Sequence, residues 1–133
     1  MRDISLKAVI ISSVFNFVLM VFLIFALGAI YGVYMKSGDS GMSDEAIAAA
    51  FETSWFQYFA LLAPLPAGYL AASIARRRPY LHGLLSSSLN VIFGIFCMIF
   101  LTAPTTMLLP MAVINIAMSL SGGWLWARRN PSP

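Results

Sequence analysis

Four apolar blocks, at 8–35, 51–75, 81–103 and 105–127, constrain this chain more than any motif in it. Each is longer than the roughly 18 residues at which an apolar run reads as a membrane-spanning helix. Composition removes the main alternative, a set of buried core helices in a soluble domain. Hydrophobic residues make up 60% of the 133 residues and charged ones 10%, against roughly 25% charged in a typical soluble domain. A water-soluble fold of this length cannot hide so much apolar surface. The first block also exceeds the roughly 7–15 apolar residues of a cleaved signal peptide, so it is expected to remain as a span. The expectation is an all-α, polytopic integral membrane protein. A single membrane domain over 1–133 would hold four transmembrane helices in an antiparallel bundle, with an outer loop at 36–50.

The placement of charge sets the threading. Four spans leave Arg2, Lys7, Arg76, Arg77, Arg78, Arg128 and Arg129 on one side, seven of the eight positive charges. Lys36 lies on the other side with Asp39, Asp44, Glu45 and Glu52. Short basic loops are retained in the cytoplasm, so both termini and the arginine loop are expected there, in a bacterial inner membrane. The clusters Arg76 to Arg78 and Arg128 with Arg129 also attract anionic lipid headgroups. Three adjacent arginines nevertheless fall short of the roughly four to eight charges that mark a lipid-specific site, so topology is their first role. Tyr31, Tyr34, Trp55, Phe56 and Tyr58 gather near the outer boundary and Tyr80, Trp124 and Trp126 near the inner one, where amphipathic rings favour headgroup level.

The longest connection, KSGDSGMSDEAIAAAFETS at 36–54, reads as a turn followed by a helix start. Ser43 can cap the first free amides, and Asp44 and Glu45 fall in the first turn, where the helix dipole favours negative charge. A second helix running from about Asp44 to Ala75 would be roughly 48 Å long. Pro64 and Pro66 are expected to kink it, because proline removes a backbone donor and leaves the carbonyls near Ala60 and Leu62 without their helical partners.

Small residues indicate how the helices associate. Gly28 and Gly32 form a GxxxG element in the first span, Ala63, Ala67, Ala71 and Ala75 recur every four residues along the second beside Gly68, and Gly94 and Gly123 lie in the third and fourth. Such positions share one helix face and permit close backbone approach, within the chain or between copies. Two stripes are more polar: Ser86, Asn90 and Gly94, and Asn115, Ser119 and Gly123. With Asn16, three asparagines fall inside spans, roughly 12 to 18 Å from the cytoplasmic edge, a depth at which they can meet. Pairing between them as interhelical glue is the first expectation; a polar substrate or water pocket uses the same residues. Placing SVFNFVLMVF (13–22) over SSLNVIFGIF (87–96) aligns Ser13 with Ser87, Asn16 with Asn90 and Phe22 with Phe96. The chain then reads as two helical hairpins of the same orientation, a parallel repeat.

Catalytic chemistry is nearly absent. The one histidine, His82, sits beside the arginine loop and reads as an interfacial residue, and the one cysteine, Cys97, lies deep in the third span. No catalytic residue, metal site or cofactor is expected. Cys97-Met98 and Met107 with Met111 would suit Cu(I) by ligand softness, but methionine is also an ordinary filler of apolar interfaces, and packing is the better account.

The run carried by Gly68, Leu70, Ala71, Ala72, Ala75, Arg76 to Arg78, Pro79, Leu81, His82 and Gly83 resembles the second-to-third-span junction of small uncharacterised bacterial four-helix membrane proteins. That resemblance implies an integral membrane location and supplies no activity. Small multidrug exporters have a similar size, but they depend on a glutamate embedded in the first span, and 8–35 holds no acidic residue. The leading expectation is a non-enzymatic membrane protein acting by helix packing, as an oligomer or an accessory subunit. Its partners would be the lipid bilayer and a second copy or another membrane protein, with no nucleic acid. The alternative is a small-solute or ion transporter or channel using Asn16, Asn90 and Asn115 beside Pro64 and Pro66.

Overall fold

The computed structural model describes residues 4–38, 41–53, 55–101 and 108–131, with side-chain surroundings for all of these except 52–58 and 97–108. Every regular element among the described residues is helical: α1 (Leu6–Gly38), α2 (Asp44–Thr53), a 3-10 helix (Trp55–Leu62), α3 (Pro64–Ala75), α4 (Pro79–Leu101) and α5 (Leu108–Arg129). Two of the helical stretches, Leu6–Gly38 and Leu109–Arg129, are long and apolar enough to cross a membrane, and Phe59–Ala75 is a shorter apolar stretch. The interfacial rings Trp55, Phe56 and Tyr58, together with Cys97, Met98 and Met107, fall outside the described side chains.

The ends of the helices follow from local chemistry. Ser5 starts α1: its hydroxyl accepts the Ala8 amide at 3.3 Å and its carbonyl the Val9 amide at 3.2 Å. Ser43 starts α2 as the sequence suggests, accepting the Ala46 amide at 3.2 Å on its hydroxyl and the Ile47 amide at 3.1 Å on its carbonyl. Lys36, in the last turn of α1, pairs with Asp44 at 2.6 Å across the loop, an exposed contact that holds the Asp44 carboxyl below its ordinary value, first through the hydrogen bond and then through charge.

The second apolar block is broken rather than kinked. Pro64 and Pro66 open α3, where a missing amide proton costs nothing because the first turn has no intrahelical acceptor for it. The chain before them tightens into the 3-10 helix, and the Ala60 carbonyl takes the Ala63 amide at 3.1 Å, a partner three residues on. The expected single helix from Asp44 to Ala75 is thus three elements, because two prolines are accommodated at a helix start more cheaply than in a helix interior.

At the other end of α3 the three arginines form a tight turn. Arg76 caps the helix in the left-handed region, φ 55°, its amide donating to the Ala72 carbonyl at 2.9 Å, and Arg78 is also left-handed at φ 47°. Glycine adopts this conformation at no steric cost, whereas other residues lose on the order of 1–2 kcal/mol. Two such positions filled by arginine indicate that charge outweighs backbone ease here.

Packing follows the small residues. Ser5, Ser12 and Phe17 on α1 meet His82, Ser86 and Phe93 on α4 in the same order, so these helices run parallel. Gly83 meets Ser119 and Gly123 meets Pro79, so α5 runs antiparallel to α4. The start of α1, the arginine turn and the end of α5 therefore share one end of the bundle. Helix α3 packs against α5, α4 and α1. The α3–α5 crossing is the tightest: a Cβ at Gly68 would strike the Ser119 carbonyl and one at Gly122 the Leu65 carbonyl. The GxxxG pair in α1 is looser and faces inward to this chain, with α2 lying on it through Ile47 against Gly32 and Phe51 against Gly28.

The bundle interior combines small apolar residues, Ala8, Ala63, Ala67, Ala71 and Ala72, with polar ones. Among the described residues the largest fully buried side chains are His82 and the serines 12, 86, 87 and 119, whereas Phe25 is 74% exposed and Val33 72%.

Candidate functional site

In steps of four residues, α1, α4 and α5 present matched layers across the bundle. Ala8, His82 and Gly123 lie nearest the arginine end, then Ser12, Ser86 and Ser119, then Asn16, Asn90 and Asn115, then Met20, Gly94 and Met111. A four-residue step keeps a side chain on the same helix face, about 6 Å further along.

The first two layers are closed by hydrogen bonds. His82, expected at an interface, is fully buried, because its ring is what joins α1 to α4: Nε2 accepts the Ser5 amide at 3.0 Å and Nδ1–H donates to the Arg78 carbonyl at 3.1 Å. Both partners are backbone groups, and together they select the neutral Nδ1–H tautomer. One turn on, the Ser12 and Ser86 hydroxyls bond at 2.8 Å and the Ser13 hydroxyl donates to the Ser86 carbonyl at 3.2 Å. Ser119 ties α5 to α4 by donating to the Gly83 carbonyl at 2.9 Å. Interhelical glue is therefore made by His82 and the serines.

The asparagine layer behaves differently. Asn90 donates to the Ser86 carbonyl at 3.0 Å, within its own helix. Asn16 is 3% exposed, and its Oδ1, like that of Asn115, is buried with no hydrogen-bond partner among the described residues. The expected Asn–Asn pairing is not formed. An unsatisfied buried acceptor costs about 1–3 kcal/mol, and two occur together.

All three asparagines line one cavity of about 260 Å³, with Met20, Gly94 and Met111 of the next layer also in its wall and Leu61 closing it from the 3-10 helix. Gly94 contributes no side chain to its wall, and a Cβ built there meets nothing within 4 Å. Gly94 was expected to pack helices together; it faces open space instead, while Gly68 and Gly123 do make close approaches. Phe17 and Phe93 stand edge-to-face at 5.3 Å on the rim and, with Gly94 and Ile95, are exposed on the flank of the bundle. Among the described residues no charged side chain lines the cavity, and no three His, Cys, Asp or Glu side chains gather as a metal site.

The three asparagines expected from the sequence lie together on the cavity, and Ser86 and Ser119 lie in the layer beside them. Ser12, Ser13 and Gly122 were not expected, although the four-residue step from Asn16 back to Ser12 was a usable signal. Pro64 and Pro66 stand at the start of α3, and Arg76 to Arg78, Arg128 and Arg129 at the basic end, all outside the cavity. Arg128 also stacks over Trp124 at 5.3 Å. No protein-family model, curated protein or solved structure matches the chain, so the functional argument rests on these residues.

Proposed function

We propose that this is a four-span integral membrane protein, with its termini and arginine turn on the cytoplasmic side of a bacterial inner membrane, that holds a small solute at an intramembrane site formed by Asn16, Asn90 and Asn115. It belongs to the transporter class and carries out no covalent chemistry. The spans are α1, the 3-10 helix with α3, α4 and α5. At 23 residues, α4 has the length to cross hydrocarbon about 30 Å thick. Only 28% of the most apolar window of α1 and 17% of that of α5 is buried within the protein, which suits lipid contact and not a soluble core.

One observation carries the site reading: two buried carboxamide oxygens lack partners beside the same cavity. Polar side chains at this depth are expensive, and they are kept where they pair or serve a pathway. The oligomer or accessory-subunit reading drew on the GxxxG face and the polar stripe as association surfaces. Helix α2 lies over the first, and Ser86 and Ser119 of the second are buried inside the bundle.

The two readings give opposite signs for one measurement. In the purified protein, Asn16→Leu and Asn115→Leu each remove an unsatisfied acceptor and should stabilise the bundle by about 1–3 kcal/mol. Interhelical glue would instead be lost at about 0.6 kcal/mol, up to about 1.7. Equilibrium unfolding in mild detergent distinguishes them, and destabilisation by both substitutions overturns the site reading.

A further inference from the structure

The cavity's chemistry also specifies the class of solute, an inference that rests on the site reading above. Its polar groups are three neutral carboxamides, and among the described residues no ionisable side chain lines it. A charged head would be stripped of water without a counter-ion, a heavy penalty in a low-dielectric interior. A wholly apolar solute would fill the space but leave the oxygens of Asn16 and Asn115 unsatisfied. A hydroxyl or primary amide head donates to one or both of them and carries no charge to desolvate.

The rest of the wall sets the body of the molecule. Phe17, Met20, Phe93 and Met111 offer rings and flexible thioethers, surfaces that adapt to an alkyl chain or an aryl group. Benzene occupies an apolar cavity of about 150 Å³, so about 260 Å³ suits a molecule on the order of ten non-hydrogen atoms. Phe17, Phe93, Gly94 and Ile95 reach both the cavity and the outer flank of the bundle, which gives a side entrance from the surrounding hydrocarbon. We propose that the cavity binds a neutral medium-chain amphiphile with a hydrogen-bond-donating head, an alcohol or a primary amide.

Photolabelling of the full chain in lipid nanodiscs tests this. The probe is an octanol bearing a diazirine on its chain, with labelled residues mapped by mass spectrometry. Label should concentrate on Met20, Val91 and Met111 and be displaced by 1-octanol, with octane, octylammonium and octanoate at least about ten-fold weaker as competitors, one decade of affinity. Asn16→Leu with Asn115→Leu should lower cavity labelling by a similar factor and leave label at the outward-facing Phe25 and Val33 unchanged. Competition by octane or octylammonium equal to that of 1-octanol overturns the solute class while leaving the site. Labelling no greater in the cavity than at Phe25 and Val33 overturns the class and the site together.

Discussion

Glycine positions in this chain do two opposite things, and a methyl group tells them apart. At Gly68 and Gly122 the facing atoms are backbone, Ser119 and Leu65 respectively, and cannot swing aside. Gly68→Ala and Gly122→Ala should each destabilise the bundle by about 1–3 kcal/mol through overpacking. Gly94→Ala meets open space and should be neutral to stability. Thermal unfolding in detergent of the three variants checks the contrast, and a loss at Gly94 equal to that at Gly68 would refute the open space at Gly94. The asparagines were legible in the sequence because a carboxamide in an apolar run stands out. What they pair with was not, since that depends on how far α1 and α5 stand from α4, which side-chain spacing along one helix does not encode. His82 shows the same limit: its position beside charged residues suggested exposure, and only the docking of Ser5 explains its burial.

At the scale of elements, apolar run length located three helices to within a few residues: 8–35 against Leu6–Gly38, 81–103 against Pro79–Leu101 and 105–127 against Leu108–Arg129. Ser43 was read correctly because capping is local chemistry. The second block was misread because its unbroken apolar run suggested one long helix with a kink, whereas two neighbouring prolines are cheaper at a fresh helix start. Helix α2 lies on α1 through van der Waals contact at Gly28 and Gly32, the Tyr31–Phe51 ring pair at 5.6 Å and the exposed Lys36–Asp44 pair. That pair, with Asp44 lowered from 3.8, contributes at neutral pH; its contribution fades as pH falls below that value and is gone once the lowered carboxyl protonates. Being fully exposed and screened, it matters less than the packing. Gly32→Leu should therefore push Ile47 away and raise amide exchange across Asp44–Thr53, with Leu6–Met20 in α1 unchanged. Unchanged exchange in α2 would place its anchorage elsewhere.

For the whole molecule, the distribution of side chains suits hydrocarbon surroundings: alanine, serine, His82 and Asn16 are buried, while most of the large apolar side chains described, such as Phe25 and Val33, are exposed. In hydrocarbon, where helices have no hydrophobic drive to associate, a bundle would depend on close backbone approach and interhelical hydrogen bonds, and contacts of both kinds occur at Gly68, Gly122, Ser86 and Ser119. The proposed site gains its meaning from this setting, since unsatisfied carboxamides are tolerable in water and costly in lipid. The proposed topology has four spans carrying the asparagine layer across a membrane, with the basic end in the cytoplasm. Reporter fusions after Ser40, Arg78 and Pro133 test it. An exterior signal from the first and cytoplasmic signals from the other two are expected; an exterior signal at Pro133 or a cytoplasmic one at Ser40 would overturn the topology.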